Sequence, residues 1–288
     1  MESLAVTSLL PGLYLVATPI GAARDITLRA LDVLGSADLL AAEDTRTLRH
    51  LMEIHGIHLS GRPLIAYHDH NGDRVRPVIL KALSEGKSVA YASDAGTPLV
   101  ADPGYQLARA VREAGHLVTT APGPSAALAA LSLSALPSDR FLFEGFLPAA
   151  AGARSSVLKD LAAVPATLIF FEAPSRIGQM LSALHEHLGD RQAALCRELT
   201  KRFEEVRQGT LSELVQSVSD DPPRGEIVVV VDRDRSETGA ADLETALRQA
   251  LVSMSVKDAA SVVAEAASVP RRQVYQLALK LASESGAD

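Results

Sequence analysis

The stretch Val89–Gly104, VAYASDAGTPLVADPG, decides how the rest of the chain is read. The apolar run Ser88–Ala92 has the length and composition of a strand. It stops at Ser93-Asp94-Ala95-Gly96-Thr97-Pro98, and a second turn, Asp102-Pro103-Gly104, follows. Gly and Pro at this density break regular structure. In an α/β sheet, the loop leaving a strand's carboxyl end is where ligands bind. The small side chains here expose backbone N–H and C=O groups to a ligand. Read without a ligand, the same residues are two tight turns joining a strand to a helix.

Upstream, the pattern repeats. Gly12–Ala17 is a buried strand that runs into Thr18-Pro19-Ile20-Gly21. Ile26–Leu34 has helical spacing, with Thr27 placed to cap it. Leu39–Ala42 is a strand ending in Glu43-Asp44-Thr45-Arg46, followed by a helix over Leu48–Ile54. Leu64–Tyr67 is a strand before His68-Asp69-His70-Asn71-Gly72, and Val75–Leu83 is the next helix. Downstream come a helix over Gln106–Ala114, an extended Leu117–Thr120, and Pro122-Gly123-Pro124-Ser125-Ala126 opening an Ala/Leu-rich helix to about Leu136. Alternating strands and helices imply an α/β fold, with a mainly parallel sheet covered on both faces.

A change comes near Pro137. Phe141, Phe143 and Phe146 alternate as in a strand; Thr167–Phe171 is a strand ending in Glu172-Ala173-Pro174-Ser175-Arg176, with a helix to about Leu188. Gln192–Arg197 and Phe203–Arg207 are expected to pair, and Ile227–Val231 is a strong last strand. This gives an N-terminal α/β domain over 1–137 and a second over 138–232. Asp232–Ala241, polar and aperiodic, reads as a linker to a helical segment over 242–288.

With 47% apolar and 22% charged residues, the 288-residue chain is a core-forming globular protein. A net charge of −7 excludes a wholly basic nucleic-acid binder but not a local basic face. Cys196 is the single cysteine, so no internal disulfide forms and a reducing, cytoplasmic setting is expected. The first residues, MESLAV, lack the basic start of a signal peptide, and no apolar run reaches the roughly 20 residues of a membrane span.

Turns at one edge of a parallel sheet converge, so Thr18–Gly21, Glu43–Arg46, Ser93–Pro98 and Pro122–Ala126 should form a cleft that the second domain closes. The chain has no Gly-x-Gly-x-x-Gly after a strand, no P-loop, no His-Glu-x-x-His and no Cys-x-x-Cys. An ordinary dinucleotide, nucleotide or zinc-protease site is excluded, and no metal site is expected.

The blocks GLYLVATPIG, DITLRAL, AEDTRTLRHL, YHDHN, SDAGTPLVADPGYQL, APGPSAALAALSLSALPSDRF, FEGFLP, FFEAPSR and RELTK–FEE occur in this order over about residues 12–231. The set resembles the small-subunit ribosomal RNA methyltransferases of the tetrapyrrole-methylase superfamily. The resemblance implies two α/β domains with a cofactor cleft between them, a small C-terminal helical segment, and a homodimer. It implies binding of S-adenosylmethionine (SAM) and 2′-O-methylation of a cytidine in the decoding region of 16S rRNA. It places Ser93, Asp94, Ala95, Gly96, Thr97 and Pro98 around the cofactor, with Ser125 and Ala126 continuing the wall. Phe171 and Glu172 would contribute from the second domain, and Pro19 and Gly21 would shape the floor. The chain departs from the pattern at Ala22-Ala23, at Ser175 where a His is expected, and at Ala149–Ala151 where a Lys is expected.

A ribose hydroxyl is a poor nucleophile, so a base or a cation near it would help. Asp44, Asp69, Glu172, His68, His70 and Lys201 are candidates, with Glu172 and the Asp44/Arg46 corner favoured. Asp44–Arg46 reads equally as a helix cap with a surface ion pair. His68 and His70 read as solvent-facing, Lys201 and Arg202 also as a solvated face, and Cys196 as a buried apolar residue. RNA needs local positive charge. Arg197, Lys201 and Arg202 offer it, as do Arg46, Arg49 and His50. So do Arg271 and Arg272, which follow Pro270 at the start of a helix in a helix-turn-helix-like pair. Two other readings stay open. One is a methylase acting on a tetrapyrrole; the other is a metal-dependent phosphohydrolase using Glu43, Asp44, Asp94 and Asp102.

Overall fold

The computed structural model describes residues 8–68, 70–234, 238–267, 269 and 271–285. The first half runs β1 (Gly12–Val16), α1 (Leu28–Ser36), β2 (Leu39–Ala42), α2 (Thr45–Ile54), β3 (Leu64–Ala66), α3 (Gly72–Ser84), β4 (Ser88–Ala92), α4 (Tyr105–Glu113), β5 (Val118–Ala121) and α5 (Ala126–Leu133). The strands form one sheet in the order β3-β2-β4-β1-β5, and every pairing is parallel. All of β4 is buried, and its side chains alternate between the two faces. Ala90 and Ala92 join Leu34, Leu48 and Met52 on one face, while Val89 and Tyr91 join Ile79, Leu107 and Val111 on the other. Thr27 caps α1 as expected, its hydroxyl accepting from the Ala30 N–H at 3.1 Å.

The second half runs β6 (Phe141–Phe146), α6 (Ala151–Ala162), β7 (Thr167–Glu172), α7 (Ile177–Leu188), β8 (Gln192–Arg197), β9 (Glu205–Thr210), α8 (Leu211–Asp220) and β10 (Ile227–Val231). Its sheet has the order β6-β7-β10-β8-β9. Unlike the first sheet, this one is mixed. Only β6 and β7 pair in parallel; β10 runs antiparallel to both β7 and β8, and β8 to β9. The short 198–204 connection returns the chain directly beside β8, which only an antiparallel partner permits. That turn contains Phe203, so β9 begins at Glu205, later than its sequence pattern suggests. The Phe alternation of β6 is broken by a bulge between Phe143 and Gly145.

Helix α5 joins the halves. Its Ala127, Ala130 and Leu131 pack on Ile169, Ala194, Cys196, Val228 and Val230 of the second sheet. The opposite face of that sheet is covered by α6, α7 and α8. The helix stops at Leu133, short of Leu136, because Ala135 takes the left-handed conformation at φ 54°.

Helices α9 (Thr238–Leu251), α10 (Val256–Ala267) and α11 (Arg271–Ser285) complete the chain around a core of their own that includes Leu247, Val263, Val274 and Leu281. Helix α9 starts at Thr238, inside the stretch read as linker. Pro270 and Asp69 lie outside the described residues. Among the described residues no helix is long and apolar enough to cross a membrane.

Candidate active site

The loops after β1, β4 and β5 meet at the carboxyl edge of the first sheet, as their positions require. Gly96 bridges back to the β1 loop: Thr18 N–H donates to the Gly96 carbonyl at 2.9 Å, and Gly96 N–H to the Thr18 carbonyl at 3.0 Å. Thr97 Oγ1 donates to the Pro124 carbonyl at 2.9 Å, tying in the loop after β5. Gly96 needs its φ of +81°, and a Cβ there would stand 3.4 Å from Ile20.

Between this edge and the second sheet lies a cavity of about 440 Å³. From the first half it is lined by Ile20, Asp94–Thr97, Val100–Asp102, Ser125 and Ala126. From the second it is lined by Phe146, Phe171–Pro174, Leu199 and the strand entry Gly225–Val228. Phe171 is held edge-on by Phe143 and Phe146, with ring centroids 4.9 and 5.7 Å away. The first turn of α5 opens here, and the Ser125 hydroxyl makes no capping bond.

The expected residues fall into three groups. Asp94, Ala95, Gly96, Thr97, Ser125, Ala126, Phe171 and Glu172 line the cavity. Pro19, Gly21, Ser93 and Pro98 are not among its lining residues. Ser93 is buried and donates to the Gly96 carbonyl at 2.6 Å, bracing the turn from inside. Gly21 packs against the Leu199–Lys201 turn of the second half, and the Ala22 N–H donates to Thr200 Oγ1 at 3.0 Å. Asp44 and Arg46 also lie off the cavity. Asp44 caps α2 and pairs with Arg46 at 2.6 Å, which is the cap-and-ion-pair alternative in full. Asp44 reaches the cavity only through its N–H, which donates to Asp94 Oδ1 at 2.9 Å.

The carboxylates differ sharply in surroundings. Hydrogen bonds from the Arg46 side chain and backbone hold Asp44 down to about 2. Burial raises Asp94, against the lowering effect of the Asp44 N–H. Burial pushes Asp102 up to about 7, with Glu43 and Asp94 adding repulsion. Glu172 is buried, accepting from the Ala173 N–H at 2.8 Å and from Arg176 Nη2 at 3.0 Å. Cys196 is fully buried, as read, and desolvation pushes its thiol up to about 11.

Of the basic residues, Lys201 is not a solvated side chain. It is partly buried, pairing with Glu198 at 2.9 Å and Glu226 at 2.6 Å. Arg197 pairs with Glu205 at 3.2 Å, and Arg202 lies over the exposed Phe203 ring. Arg271 and Arg272 are exposed at the start of α11. His70 is exposed, whereas His68 is partly buried. Among the described residues no carboxylate, His or Cys set converges to hold a metal ion, and Asp44 is turned to Arg46. The sequence reading missed Phe146, Leu199 and Glu226 as wall residues; they come from the second half, and no local pattern marks them.

The family model described as Tetrapyrrole (Corrin/Porphyrin) Methylases matches residues 12–215. The chain belongs to this methylase family. A second model, the RsmI C-terminal HTH domain, matches residues 237–282. The methylase chain is 49% identical over 279 residues to a ribosomal RNA small subunit methyltransferase I of Mesorhizobium japonicum, covering 96% of this chain and 94% of that one. A protein of the same name from Escherichia coli O157:H7 is 44% identical over 273 residues, covering 93% and 94%. Among solved structures, the methylase fold is shared with the cobalamin biosynthetic enzyme cobalt precorrin-4 methyltransferase, at a TM-score of 0.58 and 17% identity over 76% of this chain and 94% of that one.

Proposed function

We propose that the protein is a SAM-dependent methyltransferase that modifies the ribose 2′-oxygen of a cytidine in the decoding region of 16S rRNA. The observation that carries this reading is the inter-sheet cavity on a chain 49% identical, over 96% of its length, to a ribosomal RNA small subunit methyltransferase I.

The cavity suits SAM on its own features. It offers an aromatic wall at Phe146 and Phe171, and the free first turn of α5 for a carboxylate. Asp94, Glu172 and Glu226 supply negative groups for a cation. Asp94, Ala95, Gly96, Thr97, Ser125, Ala126, Phe171 and Glu172 would hold it, with Pro19, Gly21, Ser93 and Pro98 shaping the adjoining loops. When bound, SAM supplies an electrophilic methyl group on a sulfonium. The protein's task is then to place the hydroxyl in line and exclude water. Glu172 is fixed by Arg176 and orients the wall, and the Asp44/Arg46 corner positions Asp94. Arg197, Lys201, Arg202, Arg271 and Arg272 are proposed to meet RNA, with Lys201 acting as part of its Glu198–Glu226 cluster. The proposed setting is the bacterial cytoplasm, as a homodimer acting on the small ribosomal subunit.

The test is transfer of labelled methyl from SAM to 30S subunits lacking the modification, with free 16S rRNA in parallel and the product mapped by mass spectrometry. Label on one ribose 2′-oxygen in the decoding region is the expected result. SAM binding without transfer to either RNA would remove this substrate and favour a tetrapyrrole acceptor.

A further inference from the structure

Strands β6 and β7 run in parallel, and the segments leaving their carboxyl ends meet at the rim of the cofactor cavity. Phe146 closes β6, lines the cavity and stays 58% exposed. Leu147 behind it is buried, and Pro148, Ala149 and Ala150 lead into α6. Beside them, Glu172, Ala173 and Pro174 line the cavity and lead to Arg176, just before α7.

Two arginines grip the connection between β6 and α6. Arg154 Nη1 donates to the Ala149 carbonyl at 3.2 Å and to the Pro148 carbonyl at 3.5 Å. Arg176 Nη2 donates to the Leu147 carbonyl at 2.7 Å and to Glu172 at 3.0 Å. Each guanidinium is therefore held through one nitrogen, and the others are left over. Among the described residues, Nε of both arginines is buried without a partner, and Arg154 Nη2 and Arg176 Nη1 make no hydrogen bond. Arg62 shows the contrast. Its Nε, Nη1 and Nη2 all donate to backbone carbonyls, which is what an arginine that only pins a loop does.

The charge points the same way. Glu172 offsets Arg176, but Arg154 has no carboxylate partner among the described residues. Arg154 stands near the start of α6, whose first turn carries no acidic residue. The helix dipole is positive at that end, so the two fields add. Ala149 and Ala150 are exposed and bring no side chain that could screen them. A fixed planar guanidinium with unused donors suits a phosphate oxygen, and little further ordering is needed to bind one.

We propose that Arg154 and Arg176 bind the sugar–phosphate backbone of the acceptor RNA where it enters the cofactor cavity past Phe146. This rests on the methyltransferase reading above. Phosphate contacts fix the register of a strand without reading its sequence. Contacts on this rim set which ribose reaches the cavity, whereas Arg271 and Arg272 hold the subunit from outside it.

The test uses Arg154→Gln, Arg154→Lys, Arg176→Lys and Ala149→Glu in the full chain. Binding to unmodified 30S subunits is measured across a salt series, and SAM binding by calorimetry. Arg154→Gln should weaken subunit binding about tenfold and shrink the slope of log affinity against log salt by about 1. Arg154→Lys should recover the slope but not the full affinity, because an ammonium lacks the planar fork. Arg176→Lys keeps the charge opposite Glu172 and should likewise lose affinity at an unchanged slope. Ala149→Glu leaves both guanidiniums and their carbonyl contacts in place, and should weaken subunit binding by charge alone. SAM affinity should hold in the Arg154 and Ala149 variants. An unchanged slope in Arg154→Gln, or unchanged subunit affinity in Ala149→Glu, would overturn the proposal. Unchanged affinity in Arg176→Lys would overturn the share given to Arg176. Loss of SAM affinity in step with subunit affinity would overturn it as well, since the rim would then act by shaping the cavity. Wild type that binds SAM but neither binds nor methylates subunits would overturn the underlying reading, and this one with it.

Discussion

Glu172 and Asp102 are both carboxylates on the cavity wall, yet their neighbours give them opposite consequences. Glu172 is buried against Arg176, whose Nη2 also donates to the Leu147 carbonyl at 2.7 Å. Glu172→Gln keeps the volume but leaves Arg176 without its counter-charge. The expected loss is about 2 kcal/mol in urea unfolding, together with weaker SAM binding by calorimetry. Asp102 has no such partner, and its pKa stands at about 7, above the ordinary 3.8. Between those values the folded protein binds more protons than the unfolded chain, so this group lowers stability as pH rises from about 4 to 7 and has no further effect above. Comparing Asp102→Asn with wild type isolates the effect. The variant should gain stability relative to wild type between pH 5 and 8, by no more than about 4 kcal/mol, read from denaturant midpoints at each pH.

The loops set these side chains in place, and they do so by close approach. A Cβ on Gly21 would lie 2.6 Å from both Lys201 Cγ and Thr200 Oγ1, and 2.8 Å from the Leu199 carbonyl. Leu199 lines the cavity, so this contact fixes the distance between its two walls. Gly21→Ala should therefore weaken SAM at least about tenfold, while the unfolding midpoint falls modestly, since the clash lies at a junction rather than in either core. A matching outcome for both measurements would mean that Gly21 serves folding alone. The β1 and β4 loops were legible because strand, then Gly/Pro turn, is a local pattern. The partner turn at Glu198–Lys201 was not, because Glu198 and Thr200 reach left-handed φ of 49° and 64° without a glycine to signal it. Nor was the antiparallel course of the second sheet, since period-two strands look the same in either direction. Asp102 appeared in sequence only as one acid among several; its isolation depends on Tyr91, whose hydroxyl donates to the Pro103 carbonyl, and on Leu99 and Ala101 at left-handed φ, which assemble through long-range packing.

At the scale of the molecule, an acidic protein with a net charge of −7 must meet a polyanion. Overall charge opposes that encounter, so binding must come from a local face. Helices α9, α10 and α11 bury their own core, including Ala260, Val274 and Ala278, which leaves Arg271 and Arg272 exposed on the first turn of α11. Arginine at a helix start gains nothing from the helix dipole, whose positive end lies there, and a bound phosphate would relieve that repulsion. The cofactor cavity, by contrast, is bounded by the two sheets and α5, and none of its lining residues comes from α9–α11. The double change Arg271→Glu and Arg272→Glu should therefore separate the two functions. Subunit affinity should fall at least about tenfold, and the slope of log affinity against log salt should shrink by about 2, one unit for each phosphate that an arginine no longer neutralises. SAM affinity should hold. Binding measured across a salt series decides between the two basic faces: an unchanged slope would mean that these arginines face solvent, and that the basic residues around Arg197–Arg202 carry the RNA instead.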